Sequence, residues 1–340
     1  MYLVTGGSGF CGVEIVKFLL HKKEKVRVLD IEPLPEELKG KVEFIKADIR
    51  NRKKVFEACK NIQRVIHTVA KVPISKAGKE FWEVNVEGTR NILEAALKNK
   101  VEKVVHISSS AVQFLPSPVD EYAPYNPVGP YAKSKLEGEL VCKKYIKKGL
   151  DVDIIRPRTV LGTGRLGIFD IFFSWISEGK NFYILGKGNN KIQFLHSEDL
   201  AECCYLSSLK KSPHIFNIGS KSFSTLREDL QFIIDYANTG SKLISLPALP
   251  SILILRFLDI LHLSPLASWH YMTFHKDFYF TNKNAGKILN WKPRYSNKEL
   301  LRISYDSYIK MKKSGEKYNY GTSHRKPLKQ GILKLLKLFS

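Results

Sequence analysis

Several classes of protein are excluded by what this 340-residue chain lacks. Its five cysteines, Cys11, Cys59, Cys142, Cys203 and Cys204, are scattered, with no C-x-x-C pair and no zinc spacing. That argues against a disulfide framework and a metal site, and for a reducing compartment. No run of 18 apolar residues exists, so no segment is expected to span a bilayer. No internal repeat and no leader peptide is expected, because a nucleotide-binding pattern begins at residue 1. Acidic residues are also in deficit, 33 against 55 Lys and Arg, which leaves a net charge of +22. Residues 311–340 hold eight of those basic residues and one Glu, so the tail carries +7 and the body +15. Such a balance suits nucleic acid, anionic lipid or phosphorylated substrates, or is a habit of a Lys-rich proteome. There is no zinc finger and no RNP sequence, so nucleic acid is not expected.

What the chain does have is concentrated at its start, MYLVTGGSGFCG. Tyr2-Leu3-Val4 reads as a buried parallel strand. A turn holding Gly6, Gly7, Gly9 and Gly12 follows, and then an apolar helical run over residues 13–20. Strand, glycine turn and helix together let a pyrophosphate approach bare backbone at a helix N-terminus. Residues 25–29, 42–46, 63–68, 101–107 and 152–156 read as further strands, with helices over 82–99 and 131–148. The alternation predicts an α/β fold with a Rossmann-type, doubly wound parallel sheet. Its ligand then lies beyond the strand ends, at Thr5-Gly6, Asp30, Asp48, Val69-Ala70 and Ser108-Ser109. Asp30, 18 residues past Gly12, is placed to accept the adenosine ribose hydroxyls and to repel a 2′-phosphate, which favours NAD over NADP. Arg27 is the nearby cation that would accommodate that phosphate.

Tyr131 and Lys135 form Y-x-x-x-K, which puts both side chains on one helix face. A neighbouring ammonium and a positive nicotinamide ring both favour the phenolate, so Tyr131 can take a proton from an alcohol. Ser109 lies 22 residues upstream, at the end of the preceding strand, where its hydroxyl can hold the substrate oxygen. Val4-Thr5-Gly6-Gly7-Ser8-Gly9-Phe10-x-Gly12, Asp30, Asp48, Asn85-Val86-x-Gly88-Thr89, Ser108-Ser109, Tyr131-x-x-x-Lys135 and Arg156-Pro157 occur in order. From residue 1 to about 310 this set resembles the extended short-chain dehydrogenase/reductase family, the NAD-dependent epimerase/dehydratase group. The resemblance implies catalytic Ser109, Tyr131 and Lys135. It assigns NAD to Gly6, Gly9, Phe10, Gly12, Asp30, Asp48, Ile49, Val69, Ala70, Lys135 and Pro157, with Asp48 and Ile49 flanking the adenine. Asn85 has a positional role.

The resemblance also implies a Rossmann domain over 1–160, rejoined by segments near 190–220, a substrate domain over 161–310, and a basic linker and tail over 311–340. Two departures bear on the substrate. Ile192 stands where nucleotide-sugar epimerases usually carry an Arg, four residues before the His of H-x-x-D, and Thr159 stands where they commonly have Asn. The R-P-x-x-x-x-G stretch from Arg156 is closer to 3β-hydroxysteroid dehydrogenase-like members. Lys191 and Arg165 remain as phosphate binders. The leading expectation is an NAD-dependent epimerase or dehydratase acting on a secondary alcohol of a (nucleotide-)sugar. The alternatives are a hydroxysteroid or lipid-alcohol dehydrogenase and a non-catalytic NAD(H)-sensing scaffold. His67 and His196 are read as structural or lining, and Asp199 as a helix-start residue, with Ser197 as the N-cap. Cys203 and Cys204 are read as core, and Phe169, Phe172, Phe173 and Trp175 as packing. Residues 251–263 are strongly apolar and hint at membrane contact, but Arg256 and Asp259 break the run so that it cannot span, and the leading expectation is a substrate-domain helix packed against the core. Residues 328–339 place Leu328, Ile332, Leu335, Leu336 and Phe339 on one helical face, with Lys334 and Lys337 opposite, a basic amphipathic tail suited to anionic lipid. The expected location is the cytoplasm, with peripheral membrane attachment through that tail and a homodimer as the assembly.

Overall fold

The computed structural model describes residues 1–314, 331 and 333–338, apart from 166, 167, 262 and 265. The strands among the described residues are β1 (Tyr2–Thr5), β2 (Val26–Asp30), β3 (Glu43–Lys46), β4 (Arg64–His67), β5 (Lys103–Ile107), β6 (Val152–Pro157), β7 (Thr159–Leu161), β8 (Phe182–Leu185), β9 (Phe194–His196), β10 (Ile215–Ile218) and β11 (Leu243–Leu246). Seven of them form one parallel sheet in the order β10-β6-β5-β4-β1-β2-β3. Its strand order reverses between β1 and β4, the switch point at which such sheets bind ligands. The first half contributes α1 (Phe10–His21), α2 (Arg52–Ala58), a single turn α3 (Glu80–Trp82), α4 (Thr89–Lys98) and α5 (Gly129–Ile146). The second half contributes α6 (Ile168–Ser177), α7 (Ser197–Ser208), α8 (Leu226–Ala237), α9 (Ala248–Ile260), α10 (Ser268–Thr273), α11 (Lys283–Leu289), α12 (Asn297–Ser314) and α13 (Leu333–Leu338).

The strands predicted from the apolar runs are observed to within two residues. Because both faces of a parallel sheet are covered, they are nearly continuous in apolar side chains. One face packs Val4, Val28, Ile66, Val105 and Phe216 against α1 and α7, and the other packs Leu3, Leu29, Val65 and Val104 against α2, α4 and α5. Cys203 and Cys204 are buried in the first of these cores. Phe169, Phe172 and Phe173 lie in a separate core with α8 and α12, stacked against Phe194, Phe182 and Tyr305, so they pack rather than line a site.

Three local differences from the sequence reading have physical causes. The helix expected over 82–99 is interrupted by a π-helical turn, Glu83–Gly88, before α4. The wider turn carries Asn85 into the interior, where its amide donates to the Lys71 carbonyl (3.1 Å) and Ser134 Oγ (2.9 Å), and its oxygen accepts from Lys71 N (2.8 Å). The N-cap of α7 is His196, not Ser197: its Nδ1 accepts from Glu198 N at 3.2 Å. The described residues of 251–263 do not enter the core. No residue of α9 is buried. Most of the residues behind the expected lipid-binding tail, including Leu328, Ile332 and Phe339, lie outside the described residues. Within α13, Lys337 Nζ lies 2.9 Å from Glu178 Oε2 and donates to Ser174 Oγ (3.0 Å).

Candidate active site

A cleft of about 400 Å³ lies over the carboxyl ends of β1, β2, β4, β5 and β6. Its floor is the glycine turn. Gly6 has φ +76°, and a Cβ there would meet Thr68 Oγ1 at 2.5 Å. A Cβ on Gly12 would lie 2.0 Å from the Gly6 carbonyl oxygen. The tight crossing of turn and helix therefore exists only with bare backbone at both positions. Gly9 caps α1 with extended backbone, and Phe10 opens the helix. At the end of β2, Asp30 is buried and its carboxylate accepts from Ser8 N (2.9 Å) and Glu32 N (3.0 Å). Burial pushes its carboxyl pKa up, and the amides of Glu32 and Ser8 pull it back. Arg27 points elsewhere, to Glu43 (2.7 Å) and to the carbonyls of Ala58 and Lys60.

Asp48 and Ile49 reach the cleft from the end of β3, and Val69 and Ala70 from the end of β4. Asp48 is held by Arg50, whose Nη2 donates at 2.7 Å; that ion pair keeps the carboxyl below its usual range. Ile49 is buried against Gly88, where a Cβ would come within 2.7 Å of it. Pro157 closes the far side at the end of β6.

Ser109, Tyr131 and Lys135 are brought together by β5 and α5, and all three line the cleft. Ser109 Oγ accepts from Ala111 N (3.2 Å), and Phe81 packs edge-on against the Tyr131 ring at 6.0 Å. Burial raises the Tyr131 pKa; a hydrogen bond with Ser109 and the Arg165 charge oppose that shift, and Cys11 adds to it. Lys135 is not among the groups acting on Tyr131. Its ammonium is buried and donates to the Ile107 carbonyl at 2.7 Å, and burial brings its pKa down to about 8. The cation acting on the tyrosine is Arg165, from the loop before α6.

The two histidines at strand ends stay out of the cleft lining. His67 hydrogen-bonds to Thr5 Oγ1 (2.7 Å) and Thr89 Oγ1 (3.1 Å), and burial lowers its pKa to about 3. His196 stacks on Tyr295 at 4.0 Å. Asp199, in the first turn of α7, pairs with Arg294 at 2.9 Å.

Among the lining residues that escaped the sequence reading, four bear on the substrate side. Arg158 follows the Arg156-Pro157 pair directly, and Trp269, His270 and Phe274 come from around α10, which carries no motif. Arg158 is buried, donates to Ser110 Oγ (2.9 Å) and Gln193 O (3.2 Å), and stacks 3.8 Å above the Phe278 ring. Arg165 is buried over the Phe10 ring at 5.3 Å, and its Nε has no hydrogen-bond partner among the described residues. Neither guanidinium has a carboxylate partner there, and burial lowers the pKa of Arg158 to about 9 and of Arg165 to about 10. Ile192, at the position expected to carry an arginine in sugar epimerases, is buried in a small recess that Arg158 also lines. No cluster of three or more candidate metal ligands occurs among the described residues.

Comparison with known proteins places the chain among relatives of one family. An uncharacterized protein, y4nG, of Sinorhizobium fredii is 42% identical over 98% of this chain and 85% of its own length. A putative UDP-glucose 4-epimerase of Methanocaldococcus jannaschii is 34% identical over 67% of this chain and 79% of its own. A 3beta-hydroxysteroid-dehydrogenase/decarboxylase of Arabidopsis thaliana is 28% identical over 68% of this chain and 58% of its own. Residues 2–219, which hold the whole seven-stranded sheet, match the model of the NAD dependent epimerase/dehydratase family, and it is to this family that the chain belongs.

Proposed function

We propose that the chain is an NAD-dependent enzyme that oxidises, or transiently oxidises, a secondary alcohol of a nucleotide sugar. The observation that carries this reading is the pair of buried guanidiniums, Arg158 and Arg165, which line the cleft without acidic partners among the described residues. A buried cation without a counter-ion is costly unless a ligand supplies the charge. A diphosphate does so, and Arg158, which lines the same recess as Ile192, carries the charge that Ile192 lacks.

The glycine turn fits NAD. Its backbone approaches without Cβ atoms at the N-terminus of α1, where a pyrophosphate is stabilised. Asp30 retains acceptor capacity for the ribose hydroxyls, and Asp48, Ile49, Val69 and Ala70 border the adenine side. NAD bound there supplies a hydride acceptor. The chain's own part is to orient and to move a proton: Ser109 fixes the alcohol oxygen, Tyr131 takes the hydroxyl proton, and Lys135 holds the nicotinamide ribose. The division of labour proposed is residues 1–160 with the returning strand β10 for the cofactor, and residues 161–310 mainly for the substrate.

Asp30 leads to the expectation of NADH binding at least about tenfold tighter than NADPH, because a carboxylate sits where a 2′-phosphate must go. Fluorescence titration of the two cofactors checks it; equal affinities remove Asp30 from cofactor choice. Replacing Arg158 and Arg165 singly by Met is expected to raise KM for a UDP-sugar by about tenfold or more while the NADH Kd is unchanged. An unchanged KM in both variants overturns the anionic substrate.

A hydroxysteroid or lipid-alcohol dehydrogenase is the second reading, favoured by Ile192 and by the likeness to the Arabidopsis protein. Net NADH formation from a neutral alcohol distinguishes it from isomerised sugar without net NADH.

A further inference from the structure

The segment with the least ordinary surroundings is α9. Its residues are apolar except Ser251, Arg256 and Asp259. Leu249 is 77% exposed, Leu253 65%, Ile254 60%, Phe257 62% and Ile260 74%. Five large apolar side chains exposed together on one short helix form a contiguous patch of the kind that marks an interaction surface. At 13 residues the helix is also too short to cross a bilayer, and no helix among the described residues is long and apolar enough to do so.

Charge indicates what covers it. The one acid on the helix, Asp259, is already paired with Lys76 Nζ at 2.6 Å and accepts a hydrogen bond from the Tyr271 hydroxyl at 3.0 Å. Arg256 is exposed on the helix, and Lys242 is exposed beside the strand that feeds it. The chain as a whole carries +22. Two copies meeting through α9 would bring like charges together, whereas an anionic surface would be attracted. We infer that α9 is a membrane-docking helix, lying in the headgroup layer of an anionic bilayer with Leu253, Phe257 and Ile260 directed into the acyl boundary.

The docking helix is linked to segments that line the cleft. Lys76 also donates to the Ser264 carbonyl (2.8 Å), which ties the end of the α9 segment to the loop carrying Val72 and Pro73. Those two residues line the cleft, and so do Trp269 and His270 of α10, which follows α9. The end of the helix is thus tied to one cleft-lining segment through Lys76 and followed along the chain by another.

Flotation of the full-length protein with vesicles tests the inference. One set contains phosphatidylcholine with about 30 mol% phosphatidylglycerol, the other phosphatidylcholine alone. The wild type is expected to float with the anionic set, less at high salt, and several-fold less with the neutral set. The Leu253→Ser/Phe257→Ser variant is expected to bind at least about tenfold more weakly, since two buried side chains are lost, with its NADH affinity intact. The indole introduced by Phe257→Trp is expected to be quenched by brominated acyl chains. A wild type that stays off anionic vesicles, a double variant that floats equally well, or an indole that the brominated chains leave unquenched overturns it. So does a wild-type dimer that the double substitution converts to monomers, which would assign the face to a second copy.

Discussion

Replacing Tyr131 by Phe is expected to lower turnover by about 10²- to 10⁴-fold, the usual worth of a positioned proton acceptor, and to leave NADH affinity unchanged. The ring stays packed on Phe81, and only the hydroxyl that meets Ser109 is deleted. Lys135→Met is expected to damage both quantities, because its buried ammonium is fixed to the end of β5 through Ile107. The pH profile separates the groups further. Burial holds His67 near 3 and His270 near 4, so both are neutral throughout the range from pH 5 to 8. Lys135, near 8, is charged below that value and neutral above it. Tyr131 is pushed upward, so alcohol oxidation is expected to rise with pH as its proton is more readily lost. Arg165→Met removes a cation that favours the phenolate, and the rise should move to higher pH. Near wild-type turnover in Tyr131→Phe would assign the proton acceptor to a group other than Tyr131.

The cofactor half was readable because its determinants are local. Gly6 and Gly12 announce a backbone crossing within six residues, and the strand ends follow from apolar runs that stop at Asp30, Asp48 and Ser108. Y-x-x-x-K is equally local, since one helix face carries both residues. The substrate half was not readable in this way. Trp269 and His270 reach the cleft only because α10 folds back over it, through contacts separated by more than a hundred residues from β5. Arg158 was hidden by its neighbour: Arg156-Pro157 drew attention, yet Arg156 lies within β6 and is held by Glu139, whereas Arg158 sits past the strand end, between β6 and β7, and lines the cleft. α9 shows the reverse error. Its composition reads as core, yet apolar residues all round a helix indicate burial in something, which need not be the same chain.

Behind the site lies a buried ion pair whose loss should have the largest effect on stability. Glu139 of α5 and Arg156 of β6 are both essentially inaccessible to water and meet in a two-pronged pair, Nε to Oε1 at 2.8 Å and Nη2 to Oε2 at 2.7 Å. The Ser108 hydroxyl donates to the same carboxylate at 2.5 Å and that of Tyr125 at 3.0 Å. Arg156 Nη1 donates to Gln113 Oε1 (2.8 Å), which also accepts from Asn217 of β10 (3.1 Å). The pair therefore joins the strand end that presents Ser109 to the helix that presents Tyr131 and Lys135. Glu139→Ala leaves a buried guanidinium uncompensated and removes the acceptor of two hydroxyls. The expected cost is about 3–5 kcal/mol, read as a fall in the urea midpoint. Glu139→Met with Arg156→Met replaces both charges with apolar groups and is expected to recover much of that loss, because neither partner is then left alone. Turnover need not recover with it: Ser108 would still lack its acceptor, and the end of β5 would be held less firmly beside Tyr131. A single variant as stable as the wild type, or a double variant that loses as much stability as the two singles added together, would show that the pair does not act as one unit.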